Sequence, residues 1–216
     1  MLAVPLTSEH LPALEALFAA AASPCFCRYW HFTGTKNEWL DRCAHRPEEN
    51  AAELREAVQA ERPDAGGVVA LEDGAVVGWM KLTARSEVPK LRALPVYRAL
   101  DLGDDRRIFS VGCFLVAPSR RRAGVARALL AAGIELARAR GADAVEGYPR
   151  RSDAPLYDEE VWQGPESVFL ACGFEHVTGD APYPVYRKVL RRMEDRPEDV
   201  RDGGHVREPG AGRPLG

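Results

Sequence analysis

The sequence predicts a mixed α/β fold around one central β-sheet, and three observations support this prediction. Strand-like and helix-like apolar patterns alternate along the chain, in the order strand, helices, hairpin, strand, helix, strand, helix and two strands. The 216 residues are 46% hydrophobic and 28% charged, which are ordinary values for a globular protein with its own core. No internal repeat interrupts the order of elements, so residues 1–190 are predicted to form a single domain.

The N-terminal part is predicted to contain one strand and three helices. Residues 1–6 favour a strand. The next apolar residues have the spacing of one helix face: Leu11, Leu14, Leu17 and Phe18. Thr35 and Glu38 form a capping box, in which the hydroxyl and the carboxylate satisfy free amides at the start of a second helix. Pro47 ends that helix and suits the first turn of a third, which runs to about residue 61.

The middle of the chain is predicted to supply a hairpin and a buried strand. Two apolar runs, 67–71 and 75–82, flank an Asp-Gly pair, and glycine tolerates the positive φ of a tight hairpin turn. A long loop containing Pro89 and Pro95 is expected next. The nearly continuous apolar run 108–116 fits a central strand that is buried on both faces.

The clearest helix is predicted at residues 124–140, and Gly141 suits the position that ends it. Its apolar stripe is predicted to consist of Val125, Leu129, Ala132 and Leu136. A strand at 142–146, a short helix at 165–172 and two strands at 174–177 and 185–189 complete the domain. Residues 191–216 lack aromatic residues and are rich in glycine, proline and charge, so a disordered tail is predicted there.

Charge and composition exclude several classes of function. The 29 basic and 32 acidic residues give a net charge of −3, which argues against nucleic acid as a partner. No apolar run approaches the roughly 18 residues of a membrane span, and the N-terminus lacks the pattern of a signal peptide. The odd number of cysteines, five, predicts reduced thiols and a cytoplasmic location.

The segment from Cys113 to Ala126 carries the strongest chemical signal. It reads as a strand, a loop with three consecutive arginines, and a helix that opens at Gly124. A helix N-terminus presents unpaired amides and a positive dipole end, so this arrangement suits a phosphate group. A plain turn with solvated arginines is the alternative. The Walker and dinucleotide-binding glycine patterns are both missing from the sequence.

Arg121-x-x-Gly124-x-Ala126 resembles the acetyl-CoA signature of the GNAT acetyltransferase superfamily, and Phe169-Leu-Ala-Cys-Gly-Phe174 resembles a later element of the same family. The resemblance covers about residues 1–190. It implies a mostly antiparallel, splayed sheet with helices on both faces, and acetyl-CoA as co-substrate without a metal. The implied pyrophosphate-binding loop consists of Arg121, Arg122, Ala123, Gly124, Val125 and Ala126. The strand segment implied to pair with the pantetheine arm consists of Phe114, Leu115 and Val116.

The implied reaction is direct attack of an amine on the thioester while both substrates are bound. Glu146, at a predicted strand end, is the candidate base, although a solvated strand-end carboxylate is the alternative. Many relatives place a tyrosine acid where this chain has Phe169. Tyr148 is the predicted substitute acid, with Tyr157, Ser167 and Cys172 as alternatives, and the thiolate can also leave unassisted.

Two further sets of residues have a functional and a structural interpretation. Cys25, Cys27, Cys43 and His45 are suitable zinc ligands, but their one-residue spacings favour buried thiols, so no metal is predicted. Trp30 and Trp79 are predicted to contact the acceptor, whereas packing of helices on the sheet is the alternative.

The resemblance therefore implies an acetyl-CoA-dependent N-acetyltransferase whose acceptor is a primary amine, with a small molecule expected before a protein. A non-catalytic acyl-CoA-binding sensor or regulatory module is the alternative, and a zinc-dependent interaction protein is a third. A homodimer is left open.

Overall fold

The computed structural model describes residues 1–103, 105 and 107–190. The predicted tail, 191–216, lies outside the described residues. The strands are β1 Leu2–Pro5, β2 Gly67–Glu72, β3 Ala75–Ala84, β4 Ile108–Val116, β5 Ala144–Gly147, β6 Glu175–Thr178 and β7 Val185–Val189. The helices are α1 Leu11–Ala20, α2 Lys36–His45, α3 Pro47–Gln59, α4 Pro89–Ala93, α5 Pro95–Arg98, α6 Val125–Ala139 and α7 Glu166–Ala171. Short 3₁₀ turns connect several of them.

The sheet has seven strands in the order β1-β2-β3-β4-β5-β7-β6. Every neighbouring pair is antiparallel except β4 and β5, which are parallel. The predicted mixed α/β fold with a mostly antiparallel sheet is therefore confirmed. No helix in the described part of the chain is both long and apolar enough to span a bilayer.

Helices cover both faces of the sheet because side chains alternate along each strand. On one face Val68 and Met80 pack against α6, together with Phe169 from α7. On the other face Val69 and Trp79 pack against α1 and α3. The sheet is thus the middle of three layers, and the cavity described below opens where its central strands separate.

β4 and β5 separate along their length. They pair only from Ile108 with Ala144 to Ser110 with Glu146, after which β4 continues to Val116 while β5 ends at Gly147. One edge of β4 is therefore open from residue 111 onwards, which confirms the splay that the family resemblance implied.

Two predictions about local structure are corrected. The segment after β3 is not a long loop, because Pro89 and Pro95 each occupy the first turn of a short helix, α4 and α5. The buried stripe of α6 consists of Val125, Leu129, Leu130, Gly133, Ile134 and Ala137, and the predicted members Ala132 and Leu136 are only partly buried. The stripe is rotated because Gly133 faces the sheet, where Met80 packs directly against it.

Candidate active site

A cavity of about 800 Å³ opens on one side of the molecule. Four segments line it: the loop entering α6, the end of β4, the aromatic segment between α1 and α2, and residues 158–168. Of the residues predicted to bind the cofactor, all but Ala123 line this one cavity. Distant parts of the sequence therefore meet where the sequence predicted an anion site.

The loop entering α6 directs backbone amides into the cavity. Gly124 has φ +82°, and a side chain at this position would project into open space. The amides of Val125, Ala126 and Arg127 lie in the first turn, where they have no helical carbonyl to bind, and no side chain among the described residues caps the helix. These amides and the α6 dipole favour a bound anion.

Arginines surround this helix end. The Arg121 guanidinium lies 2.8 Å from the Asp158 carboxylate, across the mouth of the cavity, and Arg120 pairs with Glu72. Arg122 adopts a left-handed backbone conformation with φ +61°. Both members of the Arg121–Asp158 pair are partly exposed, so an incoming phosphate competes with a weak ion pair.

β4 contains a bulge at the wall of the cavity. Gly112 and Cys113 together stand opposite Lys81 of β3, because the pairing register shifts there by one residue. The indole N–H of Trp30 donates to the Gly112 carbonyl at 2.7 Å, so a loop residue satisfies the irregular backbone. The bulge begins where β4 has already left β5.

Beyond the bulge, β4 presents backbone groups to its open side. The hydrogen bond from the Ala117 amide to the Val77 carbonyl fixes the alternation of the ladder with β3. By that alternation, the amides of Phe114 and Val116 point away from β3. The Phe114 amide donates to the Trp162 carbonyl at 2.7 Å. The 158–168 segment thus already holds one of the groups that the resemblance assigns to a pantetheine arm.

An aromatic cluster forms the other end of the cavity. Tyr29 makes edge contacts with Trp30, Trp39 and Trp162, at centroid separations of 5.7, 5.5 and 6.2 Å. All four rings line the cavity. The Lys90 ammonium lies 5.4 Å from the Tyr29 ring centre, and burial raises the pKa of the Tyr29 hydroxyl. An apolar or planar molecule suits this aromatic end of the cavity.

The two tryptophans predicted to contact the acceptor occupy different positions. Trp30 lines the cavity, although only 1% of its surface is exposed to solvent. Trp79 is fully buried behind the wall, and its indole N–H donates to the Cys27 sulfur at 3.4 Å. Trp79 therefore supports the cavity wall from the core.

Glu146 and Tyr148, the predicted base and acid, lie together but are not among the residues lining the cavity. The Glu146 carboxylate accepts hydrogen bonds from Arg85, Arg187 and the Tyr148 hydroxyl at 2.8 to 2.9 Å, and it has no solvent exposure. Burial, and then the Glu146 charge, raise the pKa of Tyr148 well above its usual value. Their catalytic roles stay predictions. A proton transfer by either residue would need a relay across the side chains that separate it from the cavity.

Phe169 belongs to the core. It is fully buried and makes edge contacts with Phe114 and Phe174. The residue that stands in place of a family acid thus packs beneath the β4 segment instead of reaching the cavity.

The expectation of reduced thiols is wrong for two cysteines. Cys27 and Cys113 form a disulfide that joins the α1–α2 segment to β4, whereas Cys25, Cys43 and Cys172 are free. The disulfide removes Cys27 from the suggested zinc set. Across residues 1–103, 105 and 107–190, no group of three or more suitable side chains is arranged to hold a metal.

Several features of this site are not apparent from the sequence. Asp158 and Trp162 lie in a segment without periodicity, and only the folded chain shows that they face Arg121 and Phe114. A lysine on a strand is ordinarily exposed, but Lys81 is buried and donates to the Asp64 carbonyl at 2.6 Å. Its burial lowers the pKa of Lys81 to about 7. The apolar residues that flank Lys81 on β3 are the one feature of the sequence that indicates its burial.

Comparisons with known proteins agree with this geometry. The sequence model of the Acetyltransferase (GNAT) family matches residues 29–157. A comparison with curated protein sequences gave no match.

Solved structures with a similar fold are distant in sequence. The PaiA N-acetyltransferase from Thermoplasma acidophilum, in complex with coenzyme A, is 11% identical with a TM-score of 0.51. The ribosomal-protein-alanine N-acetyltransferase from Brucella melitensis is 20% identical with a TM-score of 0.51. In both cases the structural match covers 88% of this chain and 100% of the other chain. A GCN5-related N-acetyltransferase from Kribbella flavida is 16% identical with a TM-score of 0.53, over 88% of this chain and 97% of the other.

These identities show a shared fold only. The family match, however, covers more than half of the sequence, and it includes the open edge of β4 and the loop that enters α6. The chain therefore belongs to the GNAT acetyltransferase family.

Proposed function

We propose that this protein is an acetyl-CoA-dependent N-acetyltransferase that transfers the acetyl group directly to the primary amine of a small molecule. The observation that carries the proposal is that one cavity joins the free amides of α6 to the open edge of β4 and to the aromatic cluster. This is the order in which a pyrophosphate, a pantetheine arm and an acceptor would be arranged. The part of the cavity that the aromatic cluster lines is called the acceptor chamber below.

The chain's own groups suit each part of acetyl-CoA. The amides of Val125, Ala126 and Arg127 would bind the pyrophosphate, with Arg121 adding charge once Asp158 releases it. The Phe114 carbonyl and the backbone groups of Val116 on the open edge would pair with the pantetheine amides, whereas the Phe114 amide is bonded to the Trp162 carbonyl. The Thermoplasma relative is described in complex with coenzyme A, which supports this assignment.

Positioning would supply most of the rate acceleration, since holding two reactants together replaces a bimolecular encounter. The amine nitrogen attacks the thioester carbonyl, the C–S bond breaks, and the CoA thiolate leaves with its electron pair. The nitrogen gives up a proton, and the thiolate takes one from water. The Phe114 amide would serve the developing oxyanion only if the Trp162 carbonyl gives it up.

The chamber also favours one class of acceptor. Among the described residues that line the cavity, Asp158 is the only carboxylate and no histidine is present. Asp158 lies beside Arg121 at the pyrophosphate end, so an alkyl ammonium among the aromatic rings would find neither a base nor a carboxylate counter-charge beside it. An amine attached to an aromatic or other planar apolar body, and largely unprotonated at neutral pH, needs neither. We therefore propose acceptors of that class.

The experiment is a thiol-release assay with acetyl-CoA and matched pairs of amines of the same shape, one arylamine and one alkylamine. The proposal expects CoA release that depends on the arylamine and varies little between pH 6 and 9. Release with no amine dependence would contradict transfer. Faster turnover of the alkylamine, rising with pH, would contradict the acceptor class.

The second candidate is a CoA-binding sensor without turnover. The bond between the Phe114 amide and the Trp162 carbonyl favours it, because that bond occupies a group the reaction would need. Acetyl-CoA binding without acetylation of any amine in the panel would support the sensor. A cytoplasmic location and a homodimer stay predictions.

A further inference from the structure

The disulfide between Cys27 and Cys113 lies in the wall of the proposed CoA cavity. Both cysteines line the cavity, and Cys113 immediately precedes Phe114, the first residue of the segment proposed to pair with the pantetheine arm. Only 5% of Cys27 and 4% of Cys113 is exposed to solvent. A thiol therefore reaches these sulfurs most readily from within the cavity, and CoA carries such a thiol.

The disulfide also holds the α1–α2 segment in place. It links β4 to Cys27 across 86 residues of sequence. Phe26 and Cys27 both have left-handed backbone conformations, with φ of +44° and +52°. Non-glycine residues adopt this region at a cost of roughly 1 kcal/mol or more, so the surrounding contacts must hold them there. The same segment continues into Tyr29 and Trp30, the aromatic wall of the acceptor chamber.

The two sulfurs differ in their surroundings. The indole N–H of Trp79 donates to the Cys27 sulfur at 3.4 Å. A hydrogen-bond donor stabilises a thiolate, and thiol–disulfide exchange is faster when the leaving thiolate is more stable. Cys113 lies on the strand along which the CoA arm would run. Attack is therefore directed to the Cys113 sulfur, with Cys27 as the leaving group.

We propose that Cys27–Cys113 is a thiol-exchange site for the thiol of coenzyme A bound in this cavity. The CoA thiolate attacks the Cys113 sulfur, a CoA–Cys113 disulfide forms, and the Cys27–Cys113 bond breaks. The electron pair leaves on Cys27, which takes a proton from water. The CoA sulfur is oxidised and the Cys27 sulfur is reduced, so no further oxidant is needed. The exchange frees the α1–α2 segment and leaves CoA covalently held in its own site.

This inference rests on the CoA site of the proposed function but not on turnover. It assigns the free CoA thiol, the product of the proposed reaction, a second role as a covalent modifier. Acetyl-CoA has no free thiol, so it would protect the disulfide that CoA opens.

The first test uses the wild-type protein in its oxidised form. It is incubated with CoA, with acetyl-CoA or with desulfo-CoA, quenched in acid, alkylated and mapped by mass spectrometry. We expect an alkylated Cys27 and a CoA-modified Cys113 with CoA, and neither with the other two compounds. An intact disulfide after incubation with CoA would overturn the proposal.

The second test prevents reclosure of the disulfide. Cys27→Ser leaves Cys113 as a free thiol, which is treated with CoA disulfide or with pantethine, a disulfide of the same reactivity that lacks the nucleotide. Binding in the cavity should make CoA disulfide label Cys113 at least about tenfold faster than pantethine. Adding Gly124→Glu should abolish that difference. Equal rates, or labelling of Cys25 or Cys172 before Cys113, would overturn the proposal. If Cys27→Ser fails to fold, the wild-type test decides.

Titration of the wild-type protein with acetyl-CoA separates this inference from the proposed function. Binding without a CoA adduct overturns the exchange site alone. An adduct without acetylation of any amine supports the exchange site and overturns the proposed function. Absence of both binding and adduct overturns both.

Discussion

Replacing Glu146 by glutamine tests the buried ion-pair network beside the cavity. Glu146 lies on β5, and its two carboxylate oxygens accept from Arg85 on one side and Arg187 on the other. Glutamine keeps the shape of the side chain but offers one oxygen and one NH₂ group. One guanidinium would then face a donor, and the buried negative charge that Arg85 and Arg187 share would be lost, with the Asp105 carboxylate still pairing with Arg85.

The cost follows from the burial of the carboxylate, which has no solvent exposure. Breaking a buried ion pair by removing one partner costs about 3–5 kcal/mol. A domain of this size is stable by about 5–15 kcal/mol, so Glu146→Gln should remove a large part of its stability. Since 1 kcal/mol shifts the Tm of a domain of 150–250 residues by about 2–4 °C, we expect a fall of about 10 °C.

The assay is thermal and urea unfolding of Glu146→Gln, with Glu135→Gln as the matched control. Glu135 makes the same kind of pair with Arg138, but on the exposed face of α6. The control should unfold like the wild type, because exposed pairs contribute little. An unchanged Tm for Glu146→Gln would show that the buried pairs of Glu146 do not stabilise the fold. Normal stability with abolished turnover would instead show that Glu146 acts as the predicted base.

Three further predictions concern single side chains. Burial lowers the pKa of Lys81 from 10.5 to about 7, so the unfolded chain binds more protons between these values and stability should rise with pH through this range. Between pH 7 and pH 9, the free energy of unfolding should therefore rise by about 2 kcal/mol more in the wild type than in Lys81→Met, which lacks the titrating group. Parallel pH profiles of the two proteins would contradict this prediction. Trp39→Ala should raise KM for an arylamine acceptor at least about tenfold and leave KM for acetyl-CoA unchanged. Trp39→Phe keeps an aromatic ring and should change the arylamine KM much less. Equal changes in both KM values would contradict an acceptor site in the aromatic end of the cavity. Asp158→Asn frees Arg121 and should tighten acetyl-CoA binding by up to about fivefold, as expected for loss of a competing surface ion pair. Weaker binding in calorimetry would contradict this prediction and show that Asp158 contributes to acetyl-CoA binding.

The sequence predicted the elements with strong periodicity or clear end signals. The strand predicted at 108–116 agrees with β4, because this nearly continuous apolar run is of strand length, with charged residues before it and Pro118 after it. The capping box of Thr35 and Glu38 forms as expected, with the Glu38 amide donating to the Thr35 hydroxyl. These patterns depend on residues that are close in sequence, so the tertiary contacts do not change the elements they predict.

The sequence could not predict features that depend on distant partners. The stripe of α6 is rotated because Gly133 meets Met80 of β3. The alternative of a solvated strand-end carboxylate for Glu146 is wrong, because Arg85 and Arg187 bury it from both sides. The disulfide joins residues 86 positions apart, and neither spacing nor composition identifies that pair among five cysteines.

Calorimetric titration of Gly124 variants with acetyl-CoA is the sharpest test of the proposal that the loop entering α6 binds the pyrophosphate. Gly124 has φ +82° with open space beyond its Cα, so Gly124→Ala adds backbone strain while Gly124→Glu also projects a negative charge into the cavity. Like charges about 5 Å apart repel by roughly 3 kcal/mol near a protein surface, which corresponds to an affinity loss of about a hundredfold or more. We predict micromolar binding to the wild type, a loss within about tenfold for Gly124→Ala and at least about a hundredfold for Gly124→Glu. Equal affinity of acetyl-CoA for the wild type and Gly124→Glu would contradict the claim.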